Sequence, residues 1–156
     1  MAAEGIGMTR AEVLATVPQQ RPFRFLDELL ELDKDHAVGR YTFRLDEFFY
    51  AGHFPGNPIT PGVILLEALC QTGVVALGIY LLSLEIPVEE VALYNTLLTD
   101  AEVEFSSMVI PGEQVTIRAE KIFWRRRKLR STVEMIHEDG RLIATAIVSG
   151  MGVHRG

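Results

Sequence analysis

Hydrophobic and polar positions divide the chain into three stretches of different period. Phe23 to Leu32 and Ala37 to Leu45 are rich in strand-forming residues, and Asp33-Lys34-Asp35-His36 separates them. That polar cluster is of the kind that closes a hairpin, so two strands and a turn are predicted, with His36 as a turn residue. From Val63 to Leu82 the apolar residues fall on every side of a helical wheel. A helix of that kind belongs at the centre of a core rather than on its surface. After Pro87 four strand-like runs follow: Val91 to Leu98, Val115 to Trp124, Lys128 to His137 and Leu142 to Val153. Pro111-Gly112-Glu113 and Glu138-Asp139-Gly140 punctuate them. The simplest way to bury one long apolar helix with these strands is to wrap an antiparallel sheet around it, which makes the fold class α+β.

Ahead of the first strand, Thr9 is a plausible N-cap with Glu12 at the capping-box position, and Pro18 ends the short helix they predict through Val17. Met1 to Thr16 as a whole reads as a loose arm and that helix. It carries Glu4 and Glu12 and lacks the basic start and apolar run of a secretory signal. Between Glu47 and Thr60, two glycines and two prolines in Gly52-His53-Phe54-Pro55-Gly56-Asn57-Pro58 preclude both helix and strand ladder. This predicts a stiff aromatic loop, with Thr60 as cap and Pro61 in the first position of the central helix.

The 156 residues, 48% hydrophobic and 23% charged, suit one soluble domain over 1–156, with no linker or repeat. A net charge of −6 argues against binding a phosphate backbone. The lone Cys70, set among apolar residues, excludes a disulfide framework and points to a reducing, cytoplasmic setting. Pro61 to Leu84 is apolar enough to raise a membrane span. Glu67 and Gln71 within it, and the absence of a basic flank, oppose one.

Those interruptions are also where chemistry is expected. Glu67 is the only carboxylate in the apolar helix, and burial should raise its pKa toward that of a general acid. His53, held by the stiff loop that leads into the same helix, can act as a base at neutral pH. Gly62, in the second helical position, offers an amide without an intrahelical partner and no side chain to block a carbonyl, an oxyanion-hole arrangement. Each has a blander reading: a lone histidine is more often structural, and a buried glutamate can merely cap a backbone group. The three together across one loop-to-helix junction are harder to dismiss. His137 and His154 lack metal-ligand spacing.

The run Gly52-His53-Phe54-Pro55-Gly56-Asn57-Pro58-Ile59-Thr60-Pro61-Gly62-Val63-Ile64-Leu65-Leu66-Glu67-Ala68-Leu69-Cys70-Gln71 resembles the signature of the 3-hydroxyacyl-acyl-carrier-protein dehydratases of FabZ type. Weaker similarity extends through Pro22-Phe23, Leu26-Asp27, Phe105 and Val109-Ile110-Pro111-Gly112-Glu113. The resemblance implies a hotdog fold and a dimer with sheets joined edge to edge. It also implies two sites in the interface, each combining His53 of one subunit with Glu67 of the other, and no metal or organic cofactor. Glu rather than Asp at 67 favours the FabZ over the FabA type, and Gln71 matches a family glutamine one turn beyond the acid. Gln19-Gln20, Glu28, Thr60 and Glu104 depart from the family pattern. That suggests a pathway-specific relative serving a specialised fatty-acid or polyketide system.

By the same resemblance the substrate is a 3-hydroxyacyl group on an acidic carrier protein, with Phe48, Phe49, Phe54 and Leu66 as candidate walls of an acyl tunnel. Arg125, Arg126, Arg127, Lys128 and Arg130, together with Lys121, would form the basic carrier-docking patch. The alternative for these cations is protection of a solvated strand end. A hotdog thioesterase and a non-catalytic subunit paired with a homologous dehydratase are the competing functions, and homodimer and heterodimer are equally compatible with the sequence.

Overall fold

The computed structural model describes residues 7–156, so residues 1–6 of the expected N-terminal arm lie outside the described residues. Helix α1, Arg10–Thr16, begins with the expected capping box: the Thr9 hydroxyl accepts from the Glu12 amide, and the Glu12 carboxylate from the Thr9 amide. Val13 buries the inner face of α1 with Met8, Val17 and Ile79. Strands β1, Glu28–Leu32, and β2, His36–Thr42, form the first hairpin. Asp33 makes its turn by accepting the amides of Asp35 and His36. His36 is the first residue of β2 rather than a loose turn residue, and its ring pairs with Glu31 and Asp33. Both strands are shorter than predicted, because Phe25 and Phe43, apolar enough to extend the runs, are core residues of the flanking loops.

The central helix α2, Gly62–Ser83, runs through the sheet's concave side. It is long and apolar enough to cross a membrane, yet 78% of its most apolar window is buried inside the fold, as a core helix requires. Its middle, Gln71–Ala76, is π-helical. Within that wide turn the Gly73 carbonyl accepts from the Ser131 hydroxyl at 2.8 Å. Glycine at 73 also lets helix and sheet close up, since a methyl there would stand 2.6 Å from a Val133 methyl. A short helix, α3, Val88–Val91, precedes β3, Tyr94–Phe105; β4, Gln114–Arg125; β5, Lys128–His137; and β6, Leu142–His154.

The six strands lie in the order β1-β2-β4-β5-β6-β3, every neighbouring pair antiparallel. Period two is visible in β4 and β5, whose Val115, Ile117 and Ala119, and Leu129, Val133 and Met135, face the helix. The result is the expected α+β hotdog arrangement. The third strand is the main correction: Val91 is helical, and β3 continues seven residues past the predicted end at Leu98. A bulge after Leu98 resets its register, and Asp100, Glu102 and Glu104 then alternate outward, hiding the strand from a hydrophobic reading. As the last strand in the order, β3 leaves one edge of the sheet unpaired.

Candidate active site

His53 sits in a loop closed on itself by its own backbone. Its amide donates to the Phe49 carbonyl at 3.1 Å, its carbonyl accepts from Ile59 at 2.8 Å, and Phe54 and Asn57 exchange two further bonds. The ring stacks on Phe54 with centroids 4.1 Å apart. Its Nδ1 lies 2.8 Å from the Ile59 carbonyl oxygen. A carbonyl only accepts, so Nδ1 carries the hydrogen and the neutral ring keeps a free lone pair on Nε2.

Gly62 opens α2, so it holds the first helical position, and Pro61 is the N-cap without a side-chain bond. These correct the placements of Gly62 in the second position, Pro61 in the first and Thr60 as cap. The Thr60 hydroxyl is engaged instead with the Tyr50 hydroxyl at 2.6 Å, both residues being buried. With no hydroxyl folded over the helix start, the Gly62 and Val63 amides at the positive end of the helix dipole have no protein partner among the described residues, whereas Ile64 already donates to the Pro61 carbonyl at 2.9 Å. Phe105, the last residue of β3, lies against Gly62, where a methyl would meet its ring at 3.2 Å. Side-chain volume alone thus favours glycine there.

One face of α2 is not covered. Gly62, Val63, Leu66 and Glu67 are partly or fully exposed, while Ile64, Leu65, Ala68 and Leu69 are buried, so the expectation of burial on all sides fails for the first two turns. Glu67 lies on this open face, and burial of its carboxyl raises its pKa above the ordinary value despite the opposing bond from Gln71. Gln71 is fully buried and fully bonded: it donates to Glu67 at 2.8 Å and to the Phe23 carbonyl at 2.9 Å, and accepts from the Phe25 amide at 2.7 Å. It anchors the acid to the segment before β1. Cys70, on the buried side, has its thiol pushed up to about 12 by burial, which leaves it un-ionised at neutral pH.

The tunnel candidates divide. Phe49 packs against Phe25 and the core, whereas Phe48 and Phe54 are exposed and Leu66 half-buried. A groove of about 630 Å³ on the outer sheet face and a void of about 20 Å³ under the end of α2 are lined by none of these four. Phe48, Phe54 and Val63 thus face outward from the single chain.

The basic residues gather at the β4–β5 hairpin, far from Gly62 along the helix. Arg126 and Arg127 form its turn in the left-handed region. Arg125 lies over Phe123 and Arg127 over Tyr94, Lys128 and Arg130 pair with Asp100, and Lys121 with Asp35. Sequence reasoning missed Tyr50, which nothing but its place in the loop could have flagged. It also passed over His137, which is buried and bonded to Glu113. Among the described residues there is no group of three or more potential metal ligands.

Comparison with known proteins finds relatives over most of the chain. The chain is 34% identical over 139 residues to 3-hydroxyacyl-acyl-carrier-protein dehydratases FabZ of Streptococcus pyogenes serotypes M3 and M1, covering 88% of this chain and 94% of theirs. Among solved structures it is similar to the dehydratase heterocomplex ApeI:P from Xenorhabdus doucetiae, with TM-score 0.71, 12% identity and coverage of 92% and 91%. It is also similar to a hypothetical thioesterase with coenzyme A from Streptococcus pneumoniae, with TM-score 0.59, 14% identity and coverage of 81% and 85%. At such identities these two likenesses show the fold alone. The FabA-like domain matches residues 17–147, and with that span and the FabZ relatives taken together, this chain belongs to the FabA-like family of hotdog proteins.

Proposed function

We propose that the chain works as one domain over residues 1–156, a cytoplasmic dehydratase that converts a 3-hydroxyacyl thioester on acyl carrier protein to the trans-2-enoyl thioester and water. The observation that carries this reading is the tethered imidazole: with Nδ1 committed to Ile59, His53 offers Nε2 as a base held in one orientation. Nε2 takes the proton from C2 of the substrate. Negative charge moves to the thioester oxygen, where the Gly62 amide and the helix dipole stabilise it. As the double bond forms between C2 and C3, the C3 hydroxyl leaves with the proton of Glu67, which its raised pKa keeps available. The imidazolium and carboxylate return to their starting forms by proton transfer through water. No cofactor is required.

The site is completed by a second subunit paired along β3. The uncovered face of α2 and the exposed Leu97, Leu98 and Phe105 of the edge strand support this, since both are apolar surfaces that a neighbouring sheet would bury. The acyl chain then lies between subunits, against Leu66 and the exposed Phe54, rather than inside one chain. Antiparallel pairing of two β3 edges would also bring the Tyr94 end of one subunit beside the Phe105 end of the other. The basic hairpin, which stacks on Tyr94 through Arg127, would then flank its partner's Gly62 and receive the acidic carrier there.

A second reading of the assembly, a homologous but different partner, is favoured by charge. Of the outward carboxylates on β3, Asp100 is paired internally, whereas Glu102 and Glu104 form no ion pair among the described residues. A basic facing strand would suit them better than a second copy. Native mass spectrometry, alone and with homologues from the same genome, decides between the two. The catalytic assignment is tested by His53→Ala and Glu67→Gln, each expected to lower enoyl formation by roughly 10² or more with the fold intact. Turnover near the unmodified rate in either variant would overturn it.

A further inference from the structure

The loop from Ser106 to Glu113, between β3 and β4, holds the start of α2 from outside the catalytic set. Its Val109 carbonyl accepts the Thr60 amide at 2.9 Å, two residues ahead of Gly62. Pro61 stands between them, and its fixed φ makes the coupling from Thr60 to Gly62 stiff. At the root of the same loop, Phe105 packs on Gly62 itself. The amide proposed to meet the thioester oxygen is therefore gripped on two sides by one loop.

The loop is in turn held by a polar cluster, built around the buried His137, that no step of the reaction uses. Glu113 accepts the Ile110 amide at 2.8 Å with one oxygen, and with the other accepts from His137 Nε2 and, at 3.3 Å, from Arg141. Arg141 spans the gap to the far side of the loop, donating to the Met108 carbonyl at 3.0 Å while its Nε donates to Asp139 at 3.2 Å. Burial acts to lift the Glu113 carboxyl, but the Ile110 amide and the His137 and Arg141 donors outweigh it and hold it below the ordinary range. Met108, Ile110 and Glu113 are thus fixed to the β5–β6 hairpin, with Val109 between them and buried.

We infer that Glu113, His137 and Arg141 are positioning residues for the oxyanion hole, setting the Gly62 amide through Val109 and Thr60. The inference rests on the reading of Gly62 as the oxyanion donor. It assigns a purpose to an ion-paired cluster that touches neither His53 nor Glu67, and whose side-chain bonds all lie within or between the β5–β6 hairpin and the β3–β4 loop. Arginine is needed at 141 because its fork reaches a carbonyl and two carboxylates at once, which a lysine ammonium cannot do in the same geometry.

The test uses a saturated acyl-pantetheine thioester labelled with ¹³C at the carbonyl, whose infrared band reports polarisation by the hole. In the unmodified enzyme the bound band should shift to lower frequency than in solution. In Arg141→Met the shift should shrink, hydrogen exchange at the Thr60 amide should quicken, and kcat should fall roughly tenfold with KM held. Outright loss of an oxyanion donor costs more, about 10²–10³. Should Arg141→Met fail to fold, Glu113→Gln keeps an acceptor for the Ile110 amide while removing the ion pair, and is read in the same way. A full band shift and full kcat in these variants, even with a lower melting temperature, would overturn the inference and leave the Gly62 assignment standing. No shift in the unmodified enzyme would overturn the Gly62 assignment itself, and this inference with it.

Discussion

Replacing Gln71 by methionine keeps the volume of a fully buried side chain and removes three hydrogen bonds at once. The Phe25 amide belongs to a residue with no exposure, and without Gln71 it has no replacement partner in that position. The Phe23 carbonyl belongs to a half-exposed residue, where water can partly substitute. With about 1–3 kcal/mol for each buried group left unpaired, discounted for Phe23, the loss is about 2–4 kcal/mol. In urea at fixed protomer concentration this moves the midpoint down by roughly 1–2 M. The same substitution acts on chemistry. The Gln71 amide stabilises ionised Glu67 and so lowers its pKa against the larger effect of burial. Without it the acid stays protonated to higher pH, and the alkaline limb of the kcat profile moves up. Folding stability carries the matching sign: a carboxyl whose pKa is raised by folding weakens the fold as pH climbs from its ordinary value through the raised one. That decline should be larger in Gln71→Met and extend to higher pH. A midpoint within error of the unmodified protein, together with an unmoved alkaline limb, would refute both the bonding and the role given to Gln71.

Two further outcomes follow from the proposed assembly. Mixing inactive His53→Ala with inactive Glu67→Gln should restore part of the activity after subunit exchange, because some mixed dimers carry one site with both groups; activity assays after co-incubation check this. Reversing Arg126 and Arg127 to glutamate should weaken turnover of a carrier-bound substrate while sparing a pantetheine thioester, and added salt should do the same to the unmodified enzyme, since exposed attractions are screened beyond about 10 Å at 0.1 M. Equal loss on both substrates would mean that the substitutions damaged the fold, and no loss on either would leave the hairpin cations as a solvated strand end.

What was legible in the sequence and what was not divides along physical lines. The apolar run around Glu67, the glycine and proline loop at His53 and the alternation of β4 and β5 are dictated locally, by burial and by backbone restriction, and each stands where the pattern puts it. The length of β3 was hidden, because its last six residues are held by ladder bonds to β6 while their outward side chains are acidic. Thr60 is a good cap by type, yet the buried Tyr50 hydroxyl, ten residues away, takes its oxygen. His137 and Arg141 reach Glu113 across 24 and 28 residues, a pairing that no local spacing announces. The open face of α2 was concealed for another reason: its Val63 and Leu66 are as apolar as the residues on the buried side of the same helix.

The central claim, elimination of water by a fixed imidazole and a protonated glutamic acid, is tested most directly by mass spectrometry of a 3-hydroxyacyl carrier-protein substrate incubated with the unmodified enzyme, with free thiol followed in the same sample. The account predicts a product lighter by one water that is still attached to the carrier, no release of thiol, and conversion slowed by roughly 10² or more in Glu67→Gln. Release of free carrier thiol with the hydroxyacyl group intact would mark the chain as a thioesterase and contradict it.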